Sequence, residues 1–252
     1  MENNFVDLTA KLGNSCQVGH YTVIREDVCI GDEVKIGNCV TIYPGTVIGN
    51  RVVIGDNVVL GKQPQPAKTS TVKYAQPLPP LRINDGVIIG SSVVLYAGAS
   101  IGSDVMIGDL ASIREECSIG AGAVVGRGVA IENKVRVGSL SKLQTNAYIT
   151  AYTTIKDRVF IAPCVITTND NKMGRTKARF AQKKGAVIGK GARVGAGALL
   201  LPGVEVADET FVAAGSLVTR DTPCGQLVMG HPAQPIRIVA AEEFLDECFK
   251  EK

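Results

Sequence analysis

Residues 101–137 read IGSDVMIGDLASIREECSIGAGAVVGRGVAIENKVRV, and an aliphatic side chain returns at every sixth position: Ile101, Ile107, Ile113, Ile119, Val125, Ile131 and Val137. The residue two places before each aliphatic is small or branched, as at Ala99, Ala111, Cys117 and Ala123. A two-residue alternation inside a six-residue period is the mark of a parallel β-helix, in which each hexad supplies one short strand and one turn. Working outward, the beat runs back to Ile83 and, beyond a gap, from Leu60 down to Val18. It runs forward to Ile161 and, beyond a second gap, from Ile188 to Val218. Three hexads make one triangular coil, and coils stack at roughly 4.8 Å, the ordinary strand separation. A single coil has no buried face, so stability must come from contacts between neighbouring coils. Many of the 28 glycines directly follow the repeating aliphatic, which fits tight corners that a Cβ would crowd.

The composition agrees with an elongated, all-β chain. The repeat turns 252 residues into one β-helical unit over about 1–222, followed by an exit segment and capping helix over 223–252. Aromatic residues are 5% and tryptophan is absent, so bulky core anchors are scarce. A net charge of +3 is too mild to suggest nucleic-acid binding. No apolar run is long enough to span a membrane, and MENNFVDLTA has no basic region leading into an apolar one. The seven cysteines form no CxxC pair, and Cys16 and Cys117 fall on the small inward position. They read as reduced core residues of a cytoplasmic protein.

The two gaps are excursions from the coil. Residues 61–82, GKQPQPAKTSTVKYAQPLPPLR, hold five of the eleven prolines and cannot pair regularly in a sheet. Residues 167–187, TTNDNKMGRTKARFAQKKGAV, carry Lys172, Arg175, Lys177, Arg179, Lys183 and Lys184. They form either a solvated charged loop or a loop that faces phosphates at a neighbouring subunit. After Thr219 the beat stops. AAEEFLDECFKEK has helical spacing, with Phe244, Leu245, Cys248 and Phe249 near one face, and is expected to cover the open end of the sheets. Residues 1–15 are the candidate cap at the other end.

Function is expected where the repeat breaks its own rule. The place after the aliphatic is usually glycine, yet four members are Tyr96, Arg114, Glu132 and Thr150, each one coil from the next. They must stack along one corner of the prism. An arginine and a glutamate on successive coils can bind polar groups or move a proton; the alternative is a stacked surface ion pair, worth little when exposed. Asp109, Asn133, Asn146, Tyr148 and Tyr152 fall in adjacent coils, so this band can form a cleft for a polar ligand where subunits meet.

The chain has two histidines, His20 and His231. A three-histidine zinc site is therefore not expected, and no metal is assigned. Nor is there a midchain histidine to activate a sugar hydroxyl, which is a poor nucleophile at neutral pH. A neutral amine attacks a thioester more readily, and Glu132 or Asp109 can orient it and relay its proton.

From residue 16 to about 239 the chain resembles the left-handed β-helix acyltransferases of the hexapeptide-repeat family, and its ending MGHPAQPIR (229–237) is similar to that family's closing motif, with His231 where asparagine is common. The resemblance implies left-handed winding, a homotrimer, and acetyl-CoA or another short acyl-CoA as co-substrate. More narrowly, GDLASIREECSIG, GRGVAIENKVRVG, TNAYITAYTTI and FIAPCVITTNDNKMGRT resemble nucleotide-linked amino-sugar N-acyltransferases, which modify a 3-amino or 4-amino deoxysugar carried on dTDP or UDP, usually for cell-surface glycans. It implies that the polar band, Arg114 included, holds the sugar and that Asn169 and Asp170 begin the loop beside it. It also implies that Lys190, Gly195, Ala213, Ala214 and Arg220, with His231 and Arg237 of the closing motif, lie along the CoA arm. The alternatives are another small amine or hydroxyl acceptor, or a β-helix that binds without catalysis.

Overall fold

The computed structural model describes residues 3–70, 72–177 and 183–245. Its strands, most of them two residues long, lie in three sheets of 11, 10 and 12 strands, and each sheet takes every third strand in chain order until the third sheet ends on the last two strands of the chain. Every pairing is parallel except the last. The chain is therefore an all-β, three-sided parallel solenoid. We call the sheet that starts at Phe5–Val6 the first face, that of Lys11–Leu12 the second and that of Gln17–Val18 the third, and name each corner after the face it follows.

The inward pair of each hexad builds the core. On the first face Ala111, Ile113, Val129, Ile131, Ala147 and Ile149 are all 1% exposed or less. Coil-to-coil hydrogen bonds hold the ladder, as where Arg114 N–H donates to Ile131 O and Glu132 N–H to Ile149 O, both at 2.9 Å. The coil begins earlier than expected. Phe5–Val6 and Lys11–Leu12 already pair with the next coil, so residues 3–15 belong to the solenoid and are not a separate cap. Val6 and Leu12 keep the six-residue phase but stay half-exposed, because no coil lies beneath them.

Glycine after the aliphatic has a packing cause. A Cβ on Gly120 would lie 2.5 Å from Ser139 N and 2.7 Å from Gly138 C, backbone that cannot turn away. The left-handed backbone falls two residues later, where Glu116 (φ 58), Lys134 (φ 61) and Tyr152 (φ 68) adopt it without being glycine. At the second and third corners a carboxylate ladder supports the turns: Ser139 N–H donates to Asp157 Oδ1 at 2.7 Å at the second and Asn38 N–H to Asp56 Oδ1 at 2.6 Å at the third. Gly120→Ala is expected to lower stability by about 1–3 kcal/mol, the usual cost of overpacking, measured by denaturant unfolding; an unchanged midpoint would show that the coils can part there.

The first corner follows a different rule. From Asp7, Arg25 and Tyr43 to Thr168 and Leu201, the place after the aliphatic holds no glycine except Gly61. Tyr96, Arg114, Glu132 and Thr150 are therefore part of a corner-wide pattern, and lack of glycine does not by itself single them out. Both excursions leave from this corner. One replaces the turn between Val59–Lys62 and Arg82–Ile83, the other the turn between Ile166–Thr167 and Val187–Ile188. Four first-corner turns remain between them, beginning at Tyr96, Arg114, Glu132 and Thr150.

The far end closes with an antiparallel ribbon. Gln226–Met229 continues the third face, and Gln234–Ile238 pairs back against it. Where the start of a helix was expected, Ala241–Glu243 forms one 3-10 turn after an extended Ala240. Residues 246–252, with Cys248 and Phe249, lie outside the described residues, as does Arg179 of the second excursion. No helix among the described residues is long and apolar enough to cross a membrane.

Candidate functional site

The framed stretch of the first corner holds a stacked polar cluster. The Arg114 guanidinium carbon lies 4.9 Å from the Tyr96 ring centroid on the coil below, and Lys62 Nζ lies 5.9 Å from that centroid. On the coil above, Arg114 Nη1 is 3.7 Å from Glu132 Oε2. The eighteen-residue spacing thus brings these groups together as vertical neighbours. Glu132 is 30% exposed at its side chain and keeps open lone pairs for a ligand donor.

Beside this column runs a second one, Ala97, Glu115, Asn133, Ala151 and Asn169, set one residue further into each turn. Glu115 is wholly buried and takes both of its Arg114 hydrogen bonds side by side, Nε at 2.8 Å and Nη2 at 3.0 Å. The Tyr74 hydroxyl of the first excursion donates to the same carboxylate at 2.7 Å. Burial pushes the Glu115 carboxyl up, but the Arg114 and Tyr74 hydrogen bonds outweigh it, and its pKa lies below the ordinary value. Burial first, then the Glu115 hydrogen bond, raises the Tyr74 phenol, which stays a donor. Asn133 is 5% exposed, and its Nδ2 has no hydrogen-bond partner. A buried donor left open is costly unless something else accepts from it.

Tyr148 lies on the first face next to the column; burial and then the Glu132 charge raise its phenol. Thr150 is buried, and its N–H donates to Thr167 Oγ1 at 2.8 Å. Tyr152 sits in the first-corner turn one coil above Lys134, and Asn169 Nδ2 donates to Ala151 O at 3.3 Å where the second excursion begins. Asp170 Oδ1 accepts from Lys172 N–H at 2.9 Å and shapes the base of that loop.

Two expected members are elsewhere. Asp109 stands at the third corner, where its carboxylate accepts Ser91 N–H at 2.8 Å as one rung of the carboxylate ladder. Asn146 is at the same corner in a left-handed turn (φ 60), stacked against Gly128. Glu115 and Tyr74 were missed. The REE run at Arg114–Glu116 is the available signal for Glu115; nothing in the excursion marks Tyr74.

The residues assigned to the CoA arm are spread over the prism. Gly195, Ala213 and Ala214 lie at the third corner, where a Cβ on Gly195 would meet Ala214 N at 2.4 Å, so stacking alone requires this glycine. Lys190 is at the second corner, its N–H donating to Asp208 Oδ1 at 2.8 Å, and Arg220 is exposed near the first. His231 Nε2 hydrogen-bonds Gly215 O, and Arg237 lies 3.8 Å from Glu243 on the terminal ribbon. An apolar cavity of about 290 Å³ at the third face is lined by Phe160, Ala162, Arg193, Gly195 and Phe211. Arg193 caps it, 4.7 Å over the Phe211 ring and paired with Glu243 at 2.7 Å.

Cys117 lies directly behind the column, its Sγ 3.0 Å from Glu132 O, and burial pushes its thiol up to about 12. Iodoacetamide at neutral pH is expected to label the exposed Cys39, Cys164 and Cys224 and spare Cys117, read by peptide mass spectrometry. Early modification of Cys117 would mean the corner opens.

Residues 9–44 match the family model for the bacterial transferase hexapeptide (six repeats), and residues 27–62, 111–151 and 185–220 match that for the hexapeptide repeat of succinyl-transferase; together they cover more than half of the chain. The chain belongs to the hexapeptide-repeat family. Among curated proteins, it is 30% identical over 154 residues to the bifunctional protein GlmU of Thermosynechococcus vestitus, covering 60% of this chain and 32% of GlmU. It is 34% identical over 161 residues to the mitochondrial gamma carbonic anhydrase 2 of Arabidopsis thaliana, covering 63% of this chain and 52% of the relative. The chain thus spans about a third to a half of the length of these curated relatives. In structure it is similar to the UDP-N-acetylglucosamine acyltransferase of Arabidopsis, with a TM-score of 0.62 at 17% identity over 99% of this chain and 78% of that one, a likeness of fold. Among the described residues no three His, Cys, Asp or Glu side chains are grouped to hold a metal ion.

Proposed function

We propose that this hexapeptide-repeat protein is an acyltransferase that moves an acetyl or short acyl group from acyl-CoA to the amine of a dTDP- or UDP-linked 3-amino or 4-amino deoxysugar. The observation that carries the reading is the polar column Tyr96–Arg114–Glu132–Thr150, framed above and below by the only two long excursions among the described residues. Glu132 accepts a hydrogen bond from the neutral amine and takes its proton as the nitrogen attacks the thioester carbon. The new N–C bond forms, the C–S bond breaks, and the proton passes to the CoA thiolate. Backbone N–H groups at a coil corner stabilise the oxyanion. Arg114, Asn133, Tyr148 and Tyr152 hold the sugar. Asn169 and Asp170 shape the adjoining loop, whose Lys172, Arg175, Lys177, Lys183 and Lys184 meet the phosphates.

The same reading includes left-handed winding, a catalytic unit over residues 1–222 with an exit segment over 223–252, and a cytoplasmic homotrimer. The trimer is supported by the separation of the two groups of residues: the acceptor column is at the first corner, whereas Gly195, Ala213 and Ala214 of the CoA arm are at the third. A neighbouring prism can bring its third corner to the first corner of this one. His231 and Arg237, on the ribbon that extends the third face, would then line the phosphate end of the CoA arm, whereas Lys190 at the second corner and Arg220 near the first are left out of it. Asp109, engaged in the third-corner ladder, is left out of the chemistry.

Thiol release from acetyl-CoA tests the proposal against a panel of dTDP- and UDP-linked amino sugars, the same sugars without nucleotide, and small dicarboxylate amines. Preference for an acceptor without nucleotide would overturn the substrate class. Failure of the folded protein to bind CoA by calorimetry would overturn the transferase itself.

A further inference from the structure

We propose that Glu115 is the positioning residue of the acceptor corner: one buried carboxylate fixes the Arg114 guanidinium and, through Tyr74, docks the tip of the 63–81 excursion as a wall of the acceptor site. The naming of that site rests on the function proposed above; the docking does not.

The repeat itself has no need of this charge. Neighbouring coils carry Ala97, Asn133 and Ala151 at the same place in the turn, and no side-chain ladder runs through it. A carboxylate excluded from water is costly to hold unless its lone pairs are filled. Here they are. Oε2 accepts Arg114 Nε, while Oε1 accepts Arg114 Nη2 and the Tyr74 hydroxyl. The planar guanidinium fork is thus held at two nitrogens and stacked on Tyr96, which leaves Nη1 as its outward donor beside Glu132. Glu115 therefore decides where the one free edge of Arg114 points.

The excursion is held in two distinct places. Its neck is closed by the Gln63 side chain, whose Nε2 donates to Leu78 O at 2.9 Å and whose Oε1 accepts Leu78 N–H at 3.0 Å. Pro79 O also accepts Gly98 N–H at 2.6 Å. Beyond the neck, prolines and Tyr74 line an open hollow of about 300 Å³, and the Tyr74 hydroxyl reaches across to Glu115. The neck sets where the loop starts; the Tyr74–Glu115 bond sets where its tip rests.

The acid dependence follows from the sign of the shift. The Glu115 carboxyl is held below its ordinary 4.5, so the stability it contributes is fully present above that pH and is lost as the pH falls below it. Replacing Glu115 with glutamine should flatten the fall of the thermal midpoint in that window.

The decisive variant is Tyr74→Phe in the full chain, which cuts the dock and leaves the Arg114–Glu115 pair in place. Hydrogen–deuterium exchange of residues 64–77 should rise by about 10-fold, the equivalent of one lost hydrogen bond, with exchange at the coils unchanged. The KM for the amino-sugar acceptor should rise by a similar factor and that for acyl-CoA should not. Glu115→Gln should raise exchange at the same segment and also lose the acid-dependent fall. Wild-type exchange at 64–77 in Tyr74→Phe, or equal rises in the two KM values, would overturn the inference. Exchange needs no turnover, so a chain inactive toward every amino sugar removes the activity reading, and exchange alone then decides the docking.

Discussion

Glu132→Gln is expected to lower kcat for acyl transfer by about 100-fold, the lower end of what a positioned proton acceptor contributes. Glutamine keeps the shape and can still accept a hydrogen bond from the amine, but it cannot take the proton. The Glu132 side chain is 30% exposed and its contact with Arg114 is 3.7 Å long, so its charge does little for the fold, and the unfolding midpoint should hardly move. Asp109→Asn is the control. An asparagine Oδ1 can still accept Ser91 N–H at the third corner, so this variant should turn over at the wild-type rate. Steady-state kinetics with both variants separates the corners. Undiminished kcat in Glu132→Gln would remove that residue from the chemistry, and a loss confined to Asp109→Asn would move the site to the third corner.

Arg114→Ala should be the most destabilising change at the site. Removal of one partner strands the other: Glu115 would keep a buried negative charge with only the Tyr74 hydroxyl beside it. Broken buried pairs typically cost about 3–5 kcal/mol; Arg114 is itself about a third exposed, so roughly 2–4 kcal/mol is expected. Denaturant unfolding at neutral pH measures it. The double variant Arg114→Ala with Glu115→Ala should recover a good part of the loss, because the stranded charge is gone. If the double variant is as unstable as the sum of the two single ones, the pair is not coupled as its geometry implies.

The stacking of Arg114 on Glu132 was legible because a strict period turns sequence distance into height: eighteen residues is one step up the same corner. Phase within the period carries equal information. Asp109 is five residues from Arg114, which places it one hexad earlier in phase and thus at another corner, although both lie in one short stretch of sequence. Glycine misled in a related way. Its loss at Tyr96, Arg114, Glu132 and Thr150 looked local, but Asp7, Arg25 and Tyr43 continue it down the corner, so the real local signal was charge and not missing glycine. The Tyr74–Glu115 contact was illegible because it spans 41 residues and one end lies in an aperiodic, proline-rich loop. No spacing rule relates a loop tip to the coil it touches. The closing ribbon was illegible for the same reason: Gln226–Met229 and Gln234–Ile238 stand in the exit segment after the beat has stopped, and the second strand has no repeat of its own.

The four turns between the excursions amount to a ruler. Because each coil contacts only its neighbours, a whole coil inserted between the two loops would leave the rest of the stack intact and widen the opening by about 4.8 Å. The length of acceptor that fits would then be set by an integer, the number of coils, and could be lengthened in fixed steps without redesigning a single contact.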